Sequence, residues 1–202
     1  MALVLVTAPA EEPVDFDRVK DHLRLPTVGG DIYDEPYVAN AIVAARRSVE
    51  NFLGRALVTQ TWALYLDALP NDGVIELPLP PLRSVTAFEY KAGDYTGTLT
   101  TWAATNYIVD IANEPGRLAL AYGITWPTLY SEIQAVKITF TCGYGGASSV
   151  PEAIVQALMM KTADLYEHRG GDEMQGQFAA GASGVVDAAV ERLLWPYRMD
   201  IP

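Results

Sequence analysis

The spacing of apolar positions changes twice along the chain, and the changes divide it into three stretches. The first is helical. Phe16, Val19, Lys20 and Leu23 fall at helical intervals and predict a short helix over 15–25, opened by Asp15 or Asp17. Pro26 and Gly29–Gly30 stop it. A longer helix is expected over 34–53, where Val38, Ile42, Ala45, Val49, Phe52 and Leu53 form an apolar stripe. Asp34 and Glu35 suit the positive end of its dipole, Pro36 fits the first turn, and Gly54 suits its exit. Ala39, Ala41, Ala44 and Ala45 keep this helix thin, so a neighbour can approach closely. Arg46 and Arg47 read as solvated or ion-paired surface.

From 57 to 144 the period falls to two. Val58, Gln60, Trp62, Leu64 and Leu66 share one face, with Thr59, Thr61, Ala63, Tyr65 and Asp67 on the other. Asn71-Asp72-Gly73 after Pro70 reads as a turn, because Asn and Gly tolerate positive φ. Pro78, Pro80 and Pro81 exclude a central strand at their positions. Further strands are expected over 85–91, 106–111 and 117–121. The cleanest alternation sets Val136, Ile138, Phe140 and Cys142 against Lys137, Thr139 and Thr141. Short strands joined by Gly, Pro and Asn turns predict an antiparallel sandwich or small barrel.

After 145 the helical period returns. Ser149 and Glu152 fit a capping box, followed by a helix to about 168 carrying Ile154, Ala157, Leu158, Lys161, Thr162, Leu165 and Tyr166 on one face. Residues 172–184 read as a loop, 185–194 as a last helix stopped by Pro196, and Tyr197, Arg198, Met199 and Ile201 as a free tail. The fold class that follows is α+β. A helical-bundle core (1–56 and 145–202) carries an inserted antiparallel β-lobe (57–144), either a sandwich or a small barrel.

Composition narrows the chemistry. Half of the 202 residues are apolar, enough for a sizeable core. The net charge of −11 disfavours a wide basic patch and therefore broad binding to a phosphate backbone. Cys142 is the single cysteine, so neither an intramolecular disulfide nor a cysteine zinc site is expected. Met1–Val6 is apolar, too short for a membrane span and without the basic start of a signal peptide. His22 and His168 lack metal-ligand spacing, and Gly143-Tyr144-Gly145-Gly146 has no cation beside it to neutralise a phosphate. No serine sits in a nucleophile elbow. No catalytic, cofactor-binding or metal-binding residue is nominated, no cofactor or membrane partner is expected, and the chain reads as a non-enzyme.

One resemblance joins these pieces. Val14-Asp15-Phe16-Asp17-Arg18-Val19 through Arg24, Ala44 through Arg55, Thr59-Gln60-Thr61-Trp62, Leu77-Pro78-Leu79-Pro80-Pro81 through Val85, Val136 through Gly145, Val150-Pro151-Glu152 and Leu194-Trp195-Pro196-Tyr197-Arg198 occur in one order. That set resembles the head–tail connector, or adaptor, proteins of tailed phages, found also in prophages and gene-transfer particles. The resemblance covers nearly the whole chain and fits least well over 172–184. It implies a ring of about twelve copies below the portal protein of a virion or phage-like particle, assembled in a bacterial cytoplasm. Such a ring extends the channel through which DNA passes without specific binding, and it carries stopper or other tail components. It also implies a portal-directed C-terminal segment, with Leu194, Trp195, Tyr197, Arg198 and Met199 as contact candidates. Ala41, Ala45, Arg46, Val49, Lys161 and Tyr166, on two helices able to pack closely, are the candidates for contact between ring subunits. The alternatives are a DNA-packaging accessory that binds DNA or the packaging motor, and a glycan-binding or hydrolytic domain using the aromatic residues of the β-lobe.

Overall fold

The computed structural model describes residues 1–25, 27–28, 31–32, 35–94, 97–168 and 179–199. The expected breaks at Pro26 and Gly29–Gly30, the expected acid at Asp34, most of the 172–184 loop, and Ile201 lie outside them. In chain order the elements are β1 (Ala2–Thr7), α1 (Phe16–Leu23), β2 (Thr27–Val28), β3 (Asp31–Ile32), α2 (Glu35–Leu53), β4 (Gln60–Leu66), β5 (Val74–Leu77) and β6 (Leu82–Tyr90). There follow β7 (Thr100–Thr101), β8 (Tyr107–Asp110), β9 (Gly116–Leu120), β10 (Val136–Cys142), α3 (Glu152–Glu167) and α4 (Ala179–Leu194). The chain is thus α+β with antiparallel sheets.

It divides into two compact units. One holds residues 1–10 and 58–144; the other holds 11–57 and 145–202. The first ten residues belong with the sheets, not with the helices, which corrects the division at 1–56. The cause is β1, which pairs antiparallel with β4, Ala2 opposite Tyr65 and Leu5 opposite Trp62. A short apolar run with no alternation gives no sign of this partner sixty residues away.

In the sheet unit, five strands run in the order β1-β4-β10-β6-β7 and three in the order β5-β9-β8. β10 lies between β4 and β6 and buries every second side chain, Val136, Ile138, Phe140 and Cys142. This is the alternation the sequence predicts. β4 departs from it, because the adjacent Ala63 and Leu64 are both buried. The two sheets meet through Phe88 of β6 and Tyr107 of β8, with ring centroids 6.0 Å apart. Gly116 on β9 lies so close to Leu82 on β6 that a Cβ there would stand 2.4 Å from the leucine Cβ.

The β8–β9 connection is held by one carboxylate. Asp110 accepts from the backbone N–H groups of Ala112 (3.1 Å) and Asn113 (3.3 Å) and from Arg117 Nη2 at 2.8 Å. Hydrogen bonds from Arg117 and then Asn113 favour its ionised form and lower its pKa to about 2. The stabilising effect is therefore present above the ordinary carboxylate range and is lost as pH falls through the folded value.

In the helical unit, α1 is capped by Asp15, whose carboxylate accepts from Asp17 N–H at 3.4 Å. α2 packs on α3, and α3 packs on α4 and α1. The start of α3 differs from the expected capping box. Ala147–Ser149 forms a 3₁₀ turn, Pro151 takes the cap position, and no side chain caps the helix. Glu152 pairs with Arg18 instead of reaching back to the cap. α4 begins at Ala179, six residues before the expected start, so Ala179–Gly184 is helix where a loop is predicted.

Gly143 ends β10 with φ 113°, and a Cβ there would stand 2.5 Å from the Val58 carbonyl oxygen, a backbone atom with no room to move. Gly123 also has positive φ (75°) but has open space around it. Gly143→Ala is expected to cost about 3 kcal/mol and Gly123→Ala about 1 kcal/mol, read from urea midpoints; equal costs would contradict the close approach. A carboxyl NMR titration of Asp110 is expected to show a midpoint near 2. In Arg117→Gln that midpoint rises toward the ordinary Asp value.

Candidate functional site

The C-terminal segment is fixed by the way α2 ends. Gly54 adopts φ 64°, and Arg55 N–H donates to Glu50 O at 3.2 Å, which closes the helix. The same turn places the buried Arg55 side chain against Tyr197 and Met199. Its Nε donates to the Tyr197 carbonyl, and its Nη2 lies 3.5 Å from Met199 Sδ. Met199 N–H in turn donates to Leu53 O at 2.9 Å. The expected free tail is thus, up to Met199, a strap laid across the end of α2.

The strap displays an aromatic and cationic surface. Trp195-Pro196-Tyr197 forms a 3₁₀ turn directly after α4. The Arg198 guanidinium lies 5.3 Å from the Phe52 ring centroid and 5.4 Å from that of Trp195. Trp195 is 64% exposed. Leu194 is 1% exposed, so it is a core residue and offers no surface to a partner, contrary to its nomination as a contact. Trp195 and Arg198 are exposed, while Tyr197 and Met199 are half-buried.

The six residues expected between ring subunits are engaged inside the chain. Ala41, Ala45 and Val49 are buried along α2. Arg46 is also buried, with Nε 2.7 Å from Glu12 Oε2 and Nη1 2.8 Å from Glu50 Oε2. Burial opposes its charge, but the hydrogen bond to Glu12 and the attraction of Glu50 outweigh this and raise its pKa. Lys161 bridges helices, 3.2 Å from Asp164 Oδ2 on α3 and 2.7 Å from Asp187 Oδ1 on α4. Burial opposes that charge as well, and the bonds to Asp187 and Asp164 again raise the pKa. Tyr166 sets its ring edge-on to Tyr37, 5.9 Å between centroids. An apolar stripe reveals that a face is covered, not whether its own chain or a neighbour covers it.

Little reactive chemistry converges elsewhere. Among the described residues, no cluster of three or more His, Cys, Asp or Glu is placed to hold a metal ion, and no helix is long and apolar enough to cross a membrane. Cys142 is buried in β10. His168, just past the end of α3, has Nδ1 3.2 Å from Asp164 Oδ1. Trp102 and Tyr107 of the β-lobe are buried and stack at 5.8 Å, and Trp126 donates to the Pro70 carbonyl at 2.8 Å. These aromatic residues fill the space between the sheets. A cleft of about 280 Å³ between α2, α3 and α4 is lined in part by Ser48, Phe52, Lys161, Asp187 and Glu191. Sequence reasoning missed one surface, β1, whose Val4, Leu5 and Val6 are 48%, 40% and 55% exposed. The absence of any charge from Ala2 to Ala10 is the signal that could have found it.

No family model matches this chain, and no curated protein matches it. Solved structures do match. A chain from the neck of an empty gene transfer agent particle, computed with C6 symmetry, superposes with TM-score 0.78 and 26% identity over 100% of this chain and 97% of that one. A chain from the virion of a native gene transfer agent particle has TM-score 0.74 and 24% identity over the same shares. One from the neck of a native particle, computed with C12 symmetry, has TM-score 0.73 and 23% identity, again over 100% and 97%. The last two are similar in fold alone.

Replacing Arg46 by Met leaves Glu12 and the largely buried Glu50 without their cation. A loss of about 3 kcal/mol in unfolding free energy is expected from urea denaturation; a change within 0.5 kcal/mol, about the scatter of surface substitutions, would remove the pair from the account.

Proposed function

We propose that this protein is a structural subunit of the neck of a phage-like particle. It acts there as a head–tail connector in a ring below the portal and extends a channel through which DNA passes without specific binding. One observation carries the reading: the end-to-end match, at 26% identity and TM-score 0.78, to a chain of a gene transfer agent neck. A match over 100% of this chain and 97% of the other favours an equivalent place in the particle over a short shared motif. The ordered segments that resemble connector proteins support the same reading. So does the net charge of −11, since acidic walls let a DNA channel stay free of sticking.

In this proposal twelve copies form the ring, and the stopper or tail components dock on its far side. The strap over α2 is the portal contact, through Trp195, Arg198, Tyr197 and Met199, with Leu194 holding the strap from the core. Trp and Arg are the residue types that carry most binding energy at protein interfaces. A tryptophan held open by a structured turn has little entropy to lose on binding. The role is structural rather than catalytic, and it needs no cofactor.

Trp195→Ala removes an exposed side chain, so the melting temperature is expected to stay within about 2 °C. Affinity for the portal protein of the same particle is expected to fall at least about 30-fold, a hot-spot loss, in surface-immobilised binding assays. Unchanged affinity would remove the strap from the portal contact.

A further inference from the structure

Most cations of this chain are engaged within it. Every described lysine pairs with a carboxylate, as do Arg18, Arg46 and Arg117. Arg55 and Arg83 donate to the carbonyls of Tyr197 and Tyr144. Among the described residues, the cations left without an acceptor are Arg24, Arg47, Arg192 and Arg198. Two of these four flank the exposed Trp195, and both are themselves exposed.

The local backbone brings the three side chains together. Arg192 lies three residues before Trp195 on α4, a spacing that makes neighbours on a helix surface. Arg198 lies three residues after it, and its N–H donates to Trp195 O at 3.2 Å, which closes the turn. The Arg198 guanidinium stands 5.3 Å from the Phe52 ring centroid and 5.4 Å from that of Trp195. Such contacts hold a long side chain in place before a partner arrives, yet they give its N–H donors no oxygen acceptor. The acids of α4 are turned to another use. Asp187 and Glu191 line the cleft between α2, α3 and α4, and Asp187 is bound to Lys161. Asp200 lies outside the described residues.

We infer that the strap receives an acidic segment of the portal protein, with carboxylates on Arg192 and Arg198 and an apolar side chain between them on Trp195. The inference rests on the portal reading above and names the chemistry of the partner surface. A planar guanidinium held against aromatic rings suits a carboxylate, which it can meet through two parallel N–H bonds. On a chain of net charge −11, this small cationic spot is also where an acidic partner meets least repulsion. A DNA backbone offers anions too, but two cations release few counterions and the chain's net charge opposes it.

The test measures affinity of the full chain for the portal protein of the same particle, with salt raised from about 50 to about 500 mM. Arg192→Gln removes a charge that makes no ring contact among the described residues. Arg198→Gln removes the second charge, and Arg198→Lys keeps it. Each Gln variant is expected to weaken binding at least about tenfold at low salt and to flatten its salt dependence. Arg198→Lys is expected to keep the salt dependence, and circular dichroism to show every variant folded. Unchanged affinity in both Gln variants, with Trp195→Ala still weakening it, would overturn the acidic partner and leave the portal contact standing. No binding to the portal, or no loss in any of these variants, would overturn both. Salt-sensitive binding of the unmodified protein to a DNA duplex, lost in the Gln variants, would overturn the inference in favour of a nucleic acid.

Discussion

The sheet unit depends on the backbone pairing of β10. This strand is bonded along its whole length on both sides, to β4 from Val136 opposite Leu66 and to β6 from Val136 opposite Tyr90. Its alternate residues are buried, and it ends at Gly143, where the backbone comes against Val58 more closely than any side chain would allow. Once β10 is seated, β4 and β6 are fixed in register, and β1 and β7 follow by pairing to them. Leu82 on β6 then meets Gly116 on β9, which brings the second sheet onto the first.

The helical unit is organised by a different constraint, the need to neutralise charges that the packing of helices covers. Arg46 is buried in the middle of α2 and is held by Glu12, thirty-four residues earlier, and by Glu50, one turn later. Glu50 also accepts from Leu57 N–H at 3.0 Å, so one carboxylate serves the helix and the chain leaving it. Lys161 plays a comparable part between α3 and α4. The buried Arg55 has another task, holding the C-terminal strap by donating to the Tyr197 carbonyl.

The parts of this structure that are local in sequence were legible in it. The stripe on α2, the Gly54 exit and the alternation of β10 each follow from residues within one element, and each is present as read. The rest depends on partners far away. β1 has no alternation to betray it, and its pairing strand lies beyond two helices. Ser149 has the right neighbour for a capping box, but the 3₁₀ turn at Ala147–Ser149 and Pro151 take up the backbone positions it needs. Ala41, Ala45 and Val49 were legible as covered but not as covered within their own chain. The same limit applies to the strap: composition marks Trp195 and Arg198 as contact-prone, while only the fold reveals that Arg55 holds them in place.

The proposed role asks two things of this architecture: a rigid subunit with surfaces left over for neighbours, and a segment presented to the portal. The exposed strand β1 and the exposed Trp195 are the surfaces left over. Single-particle electron microscopy of the protein mixed with the portal protein of its own particle tests the central claim most directly. The account predicts a closed ring of this protein, with twelve copies, seated on the portal through the 195–199 strap. A protein that remains a monodisperse monomer beside an intact portal under every condition tried would contradict it.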